Sequence, residues 1–403
     1  MGLIRYKIRY LYRLGLKKEI RNLGKYLHIF LGIIQGKKAL TGPGWVSIEL
    51  THHCNLACEF CGSHGSRVQT KYPQARDYYR GQTTIEFNIY KALIDDLVSM
   101  GTTNVTFSGK GEPLIKKDIC DYIEYAKSRG LTCKLITNGT LLTPSMIEQL
   151  INTGIDEVNI SLNAGNEATY KEITGRDYFL NVTTATKTLV EKGKDREKAL
   201  RVTMSHVICN KTFKDMPEMV ELGGRLGVEE VSYFLCGTYR ETDDLELNES
   251  QITEINDKLI PEVKRYDGRT GLKTNIETFA NEINTATQSW KKINKIQTRI
   301  PCYAGWIFSV VAPDGMVFPC CYCREPLGNI YKKNFQEIWN SEKYAEFREM
   351  TKQLNKNPDY RMLNKCPCYT ICNFWANNLT IFKFLHPFTR LRPQKLRRTE
   401  DED

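Results

Sequence analysis

The sequence predicts an α/β protein in which an open, partial (β/α)6 TIM-like barrel precedes a small cysteine-rich domain. Two observations lead to this fold class. Between residues 45 and 278, short β-rich runs alternate with helical stretches, the pattern of βα units around a parallel sheet. Ten of the 14 cysteines of the 403-residue chain bunch into residues 54–61 and 302–372. We therefore expect four segments: a basic amphipathic arm (1–44), the barrel (45–280), the cysteine-rich domain (281–376) and a basic, aromatic tail (377–403).

Six runs rich in β-branched and aromatic residues are the strand candidates. Helical stretches lie between them, several opened by Ser, Thr or Pro and several closed by Gly. The predicted strands are 46–50, 104–108, 132–137, 157–162, 200–207 and 230–235. The predicted helices are 85–100, 116–129, 144–153, 182–192 and 213–226.

The formal net charge of +10 is concentrated at the two ends of the chain. Apolar residues of the N-terminal arm recur at helical spacing up to Ile34, so the arm could lie in an anionic membrane interface. An ordinary amphipathic helix packed on the body, with its basic face solvated, fits the same pattern. A basic patch is also the footprint of a nucleic-acid binder, but no recognition motif accompanies it, and nucleic acid is not expected.

No run reaches the roughly 18 apolar residues that a membrane-spanning helix needs, and no N-terminal signal-peptide pattern is found. The cysteines make up a small share of a long chain, unlike those of a disulfide scaffold. We therefore expect the protein in the cytoplasm, where thiolates and iron–sulfur clusters survive. Within the cytoplasm it could lie at the inner face of the membrane.

Cys54, Cys58 and Cys61 form a Cys-x3-Cys-x2-Cys motif immediately after the first predicted strand. Iron–sulfur clusters are usually held by four thiolates, and no fourth cysteine follows until Cys120, so a [4Fe–4S] cluster here would keep one iron open. The alternative is a zinc knuckle completed by a nearby histidine. Because βα barrels carry their active sites at the carboxyl ends of strands, the position of the motif favours a cofactor site.

This motif, with Phe60 before its last cysteine, resembles the signature of the radical S-adenosylmethionine (radical SAM) superfamily. In that family the amino and carboxylate groups of SAM occupy the open iron site. The resemblance implies that the reduced cluster cleaves SAM to a 5′-deoxyadenosyl radical, which abstracts hydrogen from a substrate C–H bond. Catalytic and cluster-ligating roles therefore fall to Cys54, Cys58 and Cys61.

The loop after the second strand, Ser108-Gly109-Lys110-Gly111-Glu112-Pro113, resembles the family's Gly-Gly-Glu-Pro motif, with Lys110 between the glycines. After the fourth strand, Ser161 and Asn163 stand where family members often have a Ser-x-Asp pair, so Asn163 replaces the acid. The resemblance implies a SAM site made of Phe60, Gly109, Gly111, Glu112, Pro113, Asn138, Ser161, Asn163 and Arg176.

Residues 300–376 resemble the SPASM/Twitch extension that follows many radical SAM barrels, including a Gly-x4-Cys element from Gly315 to Cys320. The full extension carries two auxiliary clusters, but this chain lacks one cysteine of its last motif. One auxiliary [4Fe–4S] cluster is the expectation, held by Cys302, Cys320 and two of the three cysteines Cys366, Cys368 and Cys372. Cys321 and Cys323 are left over, as further ligands, a hydrogen-atom donor or buried apolar groups. A zinc ribbon is the alternative for this region.

We therefore expect a radical SAM oxidoreductase whose auxiliary cluster assists electron transfer or substrate binding. The substrate would be a small, lipid- or glycan-linked molecule or a peptide, and the electron donor a flavodoxin or a ferredoxin. A zinc-binding scaffold without catalysis and a simple iron–sulfur electron carrier are the alternatives.

Overall fold

The computed structural model describes residues 23–65, 83–196, 199–237, 242–284, 300–323, 325–354 and 375–386. Its centre is one ten-stranded sheet with the order β10-β9-β8-β1-β2-β3-β4-β5-β6-β7. Strands β8, β1 and β2 to β7 run parallel, and only β9 and β10 are antiparallel to their neighbours. The strands are β1 (Trp45–Ile48), β2 (Asn104–Phe107), β3 (Thr132–Thr137), β4 (Glu157–Ser161), β5 (Arg201–Ile208), β6 (Glu230–Leu235), β7 (Lys273–Thr274), β8 (Phe308–Val311), β9 (Met316–Phe318) and β10 (Gly328–Asn329).

The six predicted strands are confirmed as β1 to β6, and they lie in the sheet in chain order. The sheet extends further at both edges. β7 pairs with β6 over only two residues, whereas β8 pairs with β1 along its whole length, from Trp45↔Phe308 to Ile48↔Val311. The cysteine-rich region therefore contributes a strand that continues the barrel sheet.

Helices cover the sheet and connect its parallel strands. The five predicted helices are present, with bounds that shift by a few residues, and the helix Glu167–Thr174 and the helices after residue 248 were not predicted. The helices are α1 (Leu23–Gln35), α2 (Phe87–Ser99), α3 (Ile119–Ser128), α4 (Pro144–Asn152), α5 (Glu167–Thr174), α6 (Phe179–Lys194), α7 (Met216–Leu226), α8 (Glu249–Glu254), α9 (Ile260–Thr270), α10 (Ile276–Ile283), α11 (Ala304–Ile307), α12 (Phe335–Trp339), α13 (Glu342–Lys352) and α14 (Trp375–Leu385).

Charged side chains close the amino end of the parallel strands. Glu157 at the start of β4 pairs with Lys134 (2.7 Å) and with Arg201 (2.7 Å), and Arg201 also pairs with Glu230 on β6. Opposite charges on neighbouring strands stabilise the sheet edge. The amino end is thus occupied by ion pairs, and the carboxyl ends of the strands are left to form a site.

Helix α1 presents two apolar faces. Ile29 and Ile33 are buried in a cluster with Trp306 of α11, and Phe30 stacks on Phe384 of α14 with 4.2 Å between ring centroids. The opposite face exposes Leu27 (57%), Leu31 (40%) and Ile34 (61%). No helix in the described part of the chain is long and apolar enough to cross a membrane.

Arg348 on α13 is 1% exposed and holds the cysteine-rich region together from within. Its Nε donates to the carbonyl of Gly305 on α11, and its Nη2 to the carbonyl of Trp339 at the end of α12, both at 2.8 Å. The guanidinium also lies over the rings of Trp339 (4.6 Å) and Tyr344 (4.7 Å). One cation therefore joins three helices through carbonyls and aromatic faces.

Candidate functional site

The cysteine motif lies at the carboxyl end of β1, in a loop that turns tightly on itself. Cys61 N donates to Cys58 O (2.9 Å), and His64 N donates to the Sγ of Cys61 (3.2 Å). All three thiols are free and half-buried. Backbone N–H groups directed at a sulfur stabilise its thiolate form, as a metal-binding loop requires.

The three thiols lie close enough to interact electrostatically. Burial raises the pKa of Cys58, and its neighbours Cys61 and Cys54 raise it further. The pKa of Cys54 is also raised, first by burial and then by Glu112 and Cys61. Burial and mutual repulsion thus favour the protonated thiols, and metal binding would release their protons because the ligands must be thiolates.

Among the residues that the structure describes, no three His, Cys, Asp or Glu side chains converge on a single metal-ion position. A [4Fe–4S] cluster makes a different demand, because each of its cysteines binds a separate iron. Three neighbouring free thiols on one tight loop therefore fit the cluster that the motif predicts.

The loop after β2 packs directly on the cysteine loop and on β1. Gly109 has a φ of +145°, and a Cβ on it would approach Glu49 Cγ to 2.5 Å. A Cβ on Gly111 would collide with the backbone oxygens of Thr51 and His53. Both glycines are required for this close approach, so two predicted SAM-site residues border the cysteine loop.

Glu112 ties the loops after β2 and β3 together. Its carboxylate is 2% exposed, and it accepts hydrogen bonds from Leu114 N (3.0 Å), Thr137 Oγ1 (2.6 Å) and Asn138 N (2.7 Å). Burial raises the pKa of Glu112, and the hydrogen bonds oppose this shift. Pro113, the other predicted residue of this motif, is buried at the start of the short 3-10 turn that Glu112 caps.

Asn138 braces the cysteine loop from the end of β3. Its Nδ2 donates to Asn55 Oδ1 (2.9 Å), and Asn55 Nδ2 donates to Thr140 Oγ1 (2.8 Å). Asn55 directly follows Cys54, so these bonds fix the start of the motif. Sequence reasoning missed Asn55, although the amide side chain between the cysteines was a visible signal.

Ser161 and Asn163 lie at the carboxyl end of β4. Asn163 has a φ of +62°, and its side chain accepts from Val207 N (3.0 Å) and donates to the Ser161 carbonyl (3.2 Å). The amide thus extends the β4–β5 pairing beyond the strand. Arg176 lies after the end of α5, and its side chain is exposed.

Phe60 connects the cysteine loop to the ends of β5 and β6. It packs against the buried cluster of Cys209, Cys236 and Leu245. Cys209 and Cys236 directly follow β5 and β6, so this apolar wall stands at the same end of the sheet as the thiols.

Two of the predicted auxiliary ligands are close together. Cys302 raises the pKa of Cys320, although burial is the larger cause. Cys323 N donates to Cys320 Sγ (3.1 Å), which repeats the N–H to sulfur bond of the first motif. Cys366, Cys368 and Cys372 lie outside the described residues.

Glu49, at the end of β1, faces the cysteine-rich region and was not predicted. It is 7% exposed. Burial raises its pKa to about 7, and Lys110 opposes the shift. Cys321, which is exposed, interacts electrostatically with Glu49 and Lys110. A carboxyl, an ammonium and a thiol thus lie near enough to influence one another electrostatically, where β1, the β2 loop and the auxiliary region come together.

Comparisons with known proteins agree with this geometry. Residues 48–223 match the model of the radical SAM superfamily, and residues 302–373 match SPASM, an iron–sulfur cluster-binding domain. The AdoMet-dependent heme synthase of Methanosarcina barkeri is 28% identical over 76% of this chain and 85% of its own length. A cofactor-modifying protein for the tungsten-containing aldehyde ferredoxin oxidoreductase of Pyrococcus furiosus is 25% identical over 82% of this chain and 89% of its own.

Solved structures share the fold at low sequence identity. Streptococcus suis SuiB bound to S-adenosylmethionine is 15% identical, with a TM-score of 0.62 over 93% of this chain and 87% of its own. The enzyme anSMEcpe with bound AdoMet is 17% identical, with a TM-score of 0.56 over 85% and 97%. With thiols, glycine loop and barrel in the expected arrangement, the chain belongs to the radical SAM superfamily and is a SAM-dependent iron–sulfur enzyme with a C-terminal SPASM domain.

Proposed function

We propose that Cys54, Cys58 and Cys61 hold a [4Fe–4S] cluster whose open iron binds SAM, and that the enzyme abstracts hydrogen from a substrate C–H bond. The observation that carries this proposal is the meeting of three free thiols on one tight loop at the carboxyl end of β1. When bound and reduced, the cluster supplies the electron that cleaves SAM. The residues of the chain hold the reactants in place and exclude water.

The SAM site would lie beside the cluster loop. Gly109 and Gly111 bring the backbone of the β2 loop close to it, and Glu112 keeps acceptor capacity beyond its three bonds for an ammonium donor. Phe60 supplies an apolar wall for the adenosyl group. The remaining residues proposed to contact SAM are Pro113, Asn138, Ser161, Asn163 and Arg176.

We assign one auxiliary [4Fe–4S] cluster to residues 281–376, with Cys302 and Cys320 as two of its ligands. Their electrostatic coupling supports this assignment. Two of the three cysteines Cys366, Cys368 and Cys372 would complete the set. The cluster would accept the electron left on the substrate or shape the pocket.

The substrate would lie between the barrel (45–280) and the auxiliary region, against Glu49, Lys110 and Cys321. An acid and a base side by side suit a polar, hydrogen-bonding molecule. The relatives named for heme synthesis and cofactor modification favour a small molecule, and the SuiB structure with its precursor peptide keeps a peptide as the second candidate. A lipid- or glycan-linked molecule belongs to the first class.

Low-temperature electron paramagnetic resonance tests the central proposal. Anaerobically reconstituted, reduced protein should give a [4Fe–4S]⁺ signal that changes when SAM is added. The variant with Cys54, Cys58 and Cys61 all changed to Ala should form no 5′-deoxyadenosine, whereas Cys120→Ala, a control at the next half-buried cysteine, should keep full SAM cleavage. A signal indifferent to SAM, or cleavage retained in the triple variant, would contradict the proposal.

Iron content tests the auxiliary assignment. Cys302→Ala should lower the iron per chain by about one cluster's share while the SAM-responsive signal remains. An unchanged iron count would remove Cys302 from the ligand set.

The electron donor would be a flavodoxin or a ferredoxin. The enzyme would act in the cytoplasm, at the inner face of an anionic membrane. The exposed apolar residues Leu27, Leu31 and Ile34 lie on one face of α1, and basic residues precede them in the sequence. Serine at these three positions should weaken co-sedimentation with phosphatidylserine-containing vesicles. Leu180→Ser, which changes an apolar residue 67% exposed on α6, should not; equal binding of both variants would refute the membrane contact.

A further inference from the structure

Tyr170 on α5 carries a buried hydroxyl group without a partner. The side chain is 1% exposed, and within the described part of the chain its Oη forms no hydrogen bond. Leaving a buried donor unsatisfied costs about 1–3 kcal/mol. A group of this kind in a folded protein requires an explanation, and a ligand that the side chain is built to meet is one.

Helix α5 is fastened to the cysteine loop. Glu59, the residue after Cys58, donates its N–H to the carbonyl of Ile173 at 2.9 Å. Lys211 bridges the same two elements, with its Nζ 2.7 Å from Glu59 and 3.0 Å from Glu172. Because Tyr170 and Ile173 are one helical turn apart, they lie on the same side of α5. Tyr170 therefore lies on the side of the helix that meets the loop.

The ring of Tyr170 is held in place by an aromatic neighbour. Phe179 packs edge-on against the ring, with 5.9 Å between centroids. Burial raises the pKa of Tyr170, and the thiolate of Cys58 raises it further. The hydroxyl is a hydrogen-bond donor, and it lies near enough to Cys58 to interact with it electrostatically.

We propose that the Tyr170 hydroxyl donates a hydrogen bond to a sulfur of the SAM-binding cluster when that cluster is bound, and so raises the reduction potential of the cluster. The proposal rests on the proposed role of Cys58 as a ligand. Hydrogen bonds to the sulfurs are one of the factors that set the potential of an iron–sulfur cluster. A reduced cluster carries more negative charge, so a donor at its sulfur stabilises the reduced form.

The test compares reconstituted wild-type holoenzyme with Tyr170→Phe, which removes the hydroxyl but retains the ring and its packing. Electron paramagnetic resonance during a redox titration should give a more negative midpoint for the SAM-responsive cluster in the variant, and an unchanged midpoint for the auxiliary cluster. Tyr178→Phe is the control, because Tyr178 directly precedes α6 and is exposed (41%). Its midpoints should equal those of the wild type.

Electron–nuclear double resonance in H2O and D2O gives a second readout independent of turnover. The wild-type reduced cluster should show a coupled exchangeable proton that Tyr170→Phe lacks. An unchanged midpoint together with an unchanged proton coupling would overturn the role of Tyr170 while leaving the cluster assignment intact. A wild-type protein without a SAM-responsive cluster would overturn the proposed function and this inference together.

Discussion

Replacing the buried Arg348 by methionine tests how the auxiliary region is held together. The variant keeps the length of the side chain but loses the guanidinium, which donates to two carbonyls and lies over two aromatic rings. Two bonds from a charged donor contribute about 2 kcal/mol each, and two buried cation–π contacts about 1 kcal/mol each. The gross stabilisation is therefore about 6 kcal/mol.

The cost of burying the charge offsets part of this stabilisation. Burial lowers the pKa of Arg348 from 12.5 to about 10, which corresponds to about 3 kcal/mol against the charged form. The difference leaves about 3 kcal/mol as the net destabilisation expected for Arg348→Met. Arg348→Lys should cost less, because an ammonium can still donate but has no planar face to stack on the rings.

Urea unfolding of anaerobically reconstituted protein, followed by circular dichroism, measures this free energy. Arg225→Met on α7 is the control, because the Arg225 side chain is 64% exposed and should change stability by no more than about 0.5 kcal/mol. Since Arg348 holds Gly305, close after Cys302, the iron content of Arg348→Met should also fall. If the free energy of unfolding of Arg348→Met is within about 0.5 kcal/mol of the wild-type value, the reasoning is refuted.

Three further substitutions test other parts of the fold and the site. Burial lowers the pKa of His206 to about 3, below the value of about 6.5 for an unfolded histidine. The contribution of the neutral His206 side chain to the free energy of unfolding is therefore complete above about pH 6.5 and is lost as the pH falls. Between pH 8 and 5.5 the wild type should lose about 1.4 kcal/mol more unfolding free energy than His206→Leu; parallel pH curves from urea titrations would contradict this. Glu112→Gln should lower the free energy of unfolding by about 1–3 kcal/mol, because its amide replaces an acceptor oxygen among three donors. Equilibrium dialysis should also show weaker SAM binding. Wild-type stability together with wild-type SAM binding would exclude the role of Glu112 in tying the two loops together. Gly109→Ala should abolish the change in the electron paramagnetic resonance signal on SAM addition, because its Cβ would meet Glu49. Gly130→Ala, also at positive φ but with open space around it, should keep that change; retention of the change in both variants would refute the role of the contact, and its loss in both would attribute the effect to backbone strain.

The sequence was sufficient for the barrel strands because their β-rich runs are separated by clear helical patterns. The cysteine spacing was likewise sufficient to predict that three free thiols share one tight loop, since the three cysteines are local in sequence. The pairing of β8 with β1 could not be predicted in this way, because a four-residue strand carries no signal for a partner so distant in the chain.

Residues that act through burial were also missed. Glu49 looks like any acid after a strand, and only the close packing of Gly109 and the nearness of Cys321 distinguish it. Tyr170 lies in an unpredicted short helix whose hydrophobic pattern is brief. The contribution of such residues depends on neighbours brought together by the fold, which the local sequence does not specify.

The position of β8 beside β1 bears on how the chain is made. During synthesis the first strand emerges early, yet the partner for one of its edges, Phe308–Val311, leaves the ribosome only after the whole barrel has been translated. Until then β1 presents an unpaired edge of a sheet, a template for wrong association. Closing so long a loop is also slow. The nascent barrel therefore depends on late arrival of its C-terminal partner strand, and truncation after residue 280 should yield an aggregation-prone fragment instead of an independent catalytic domain.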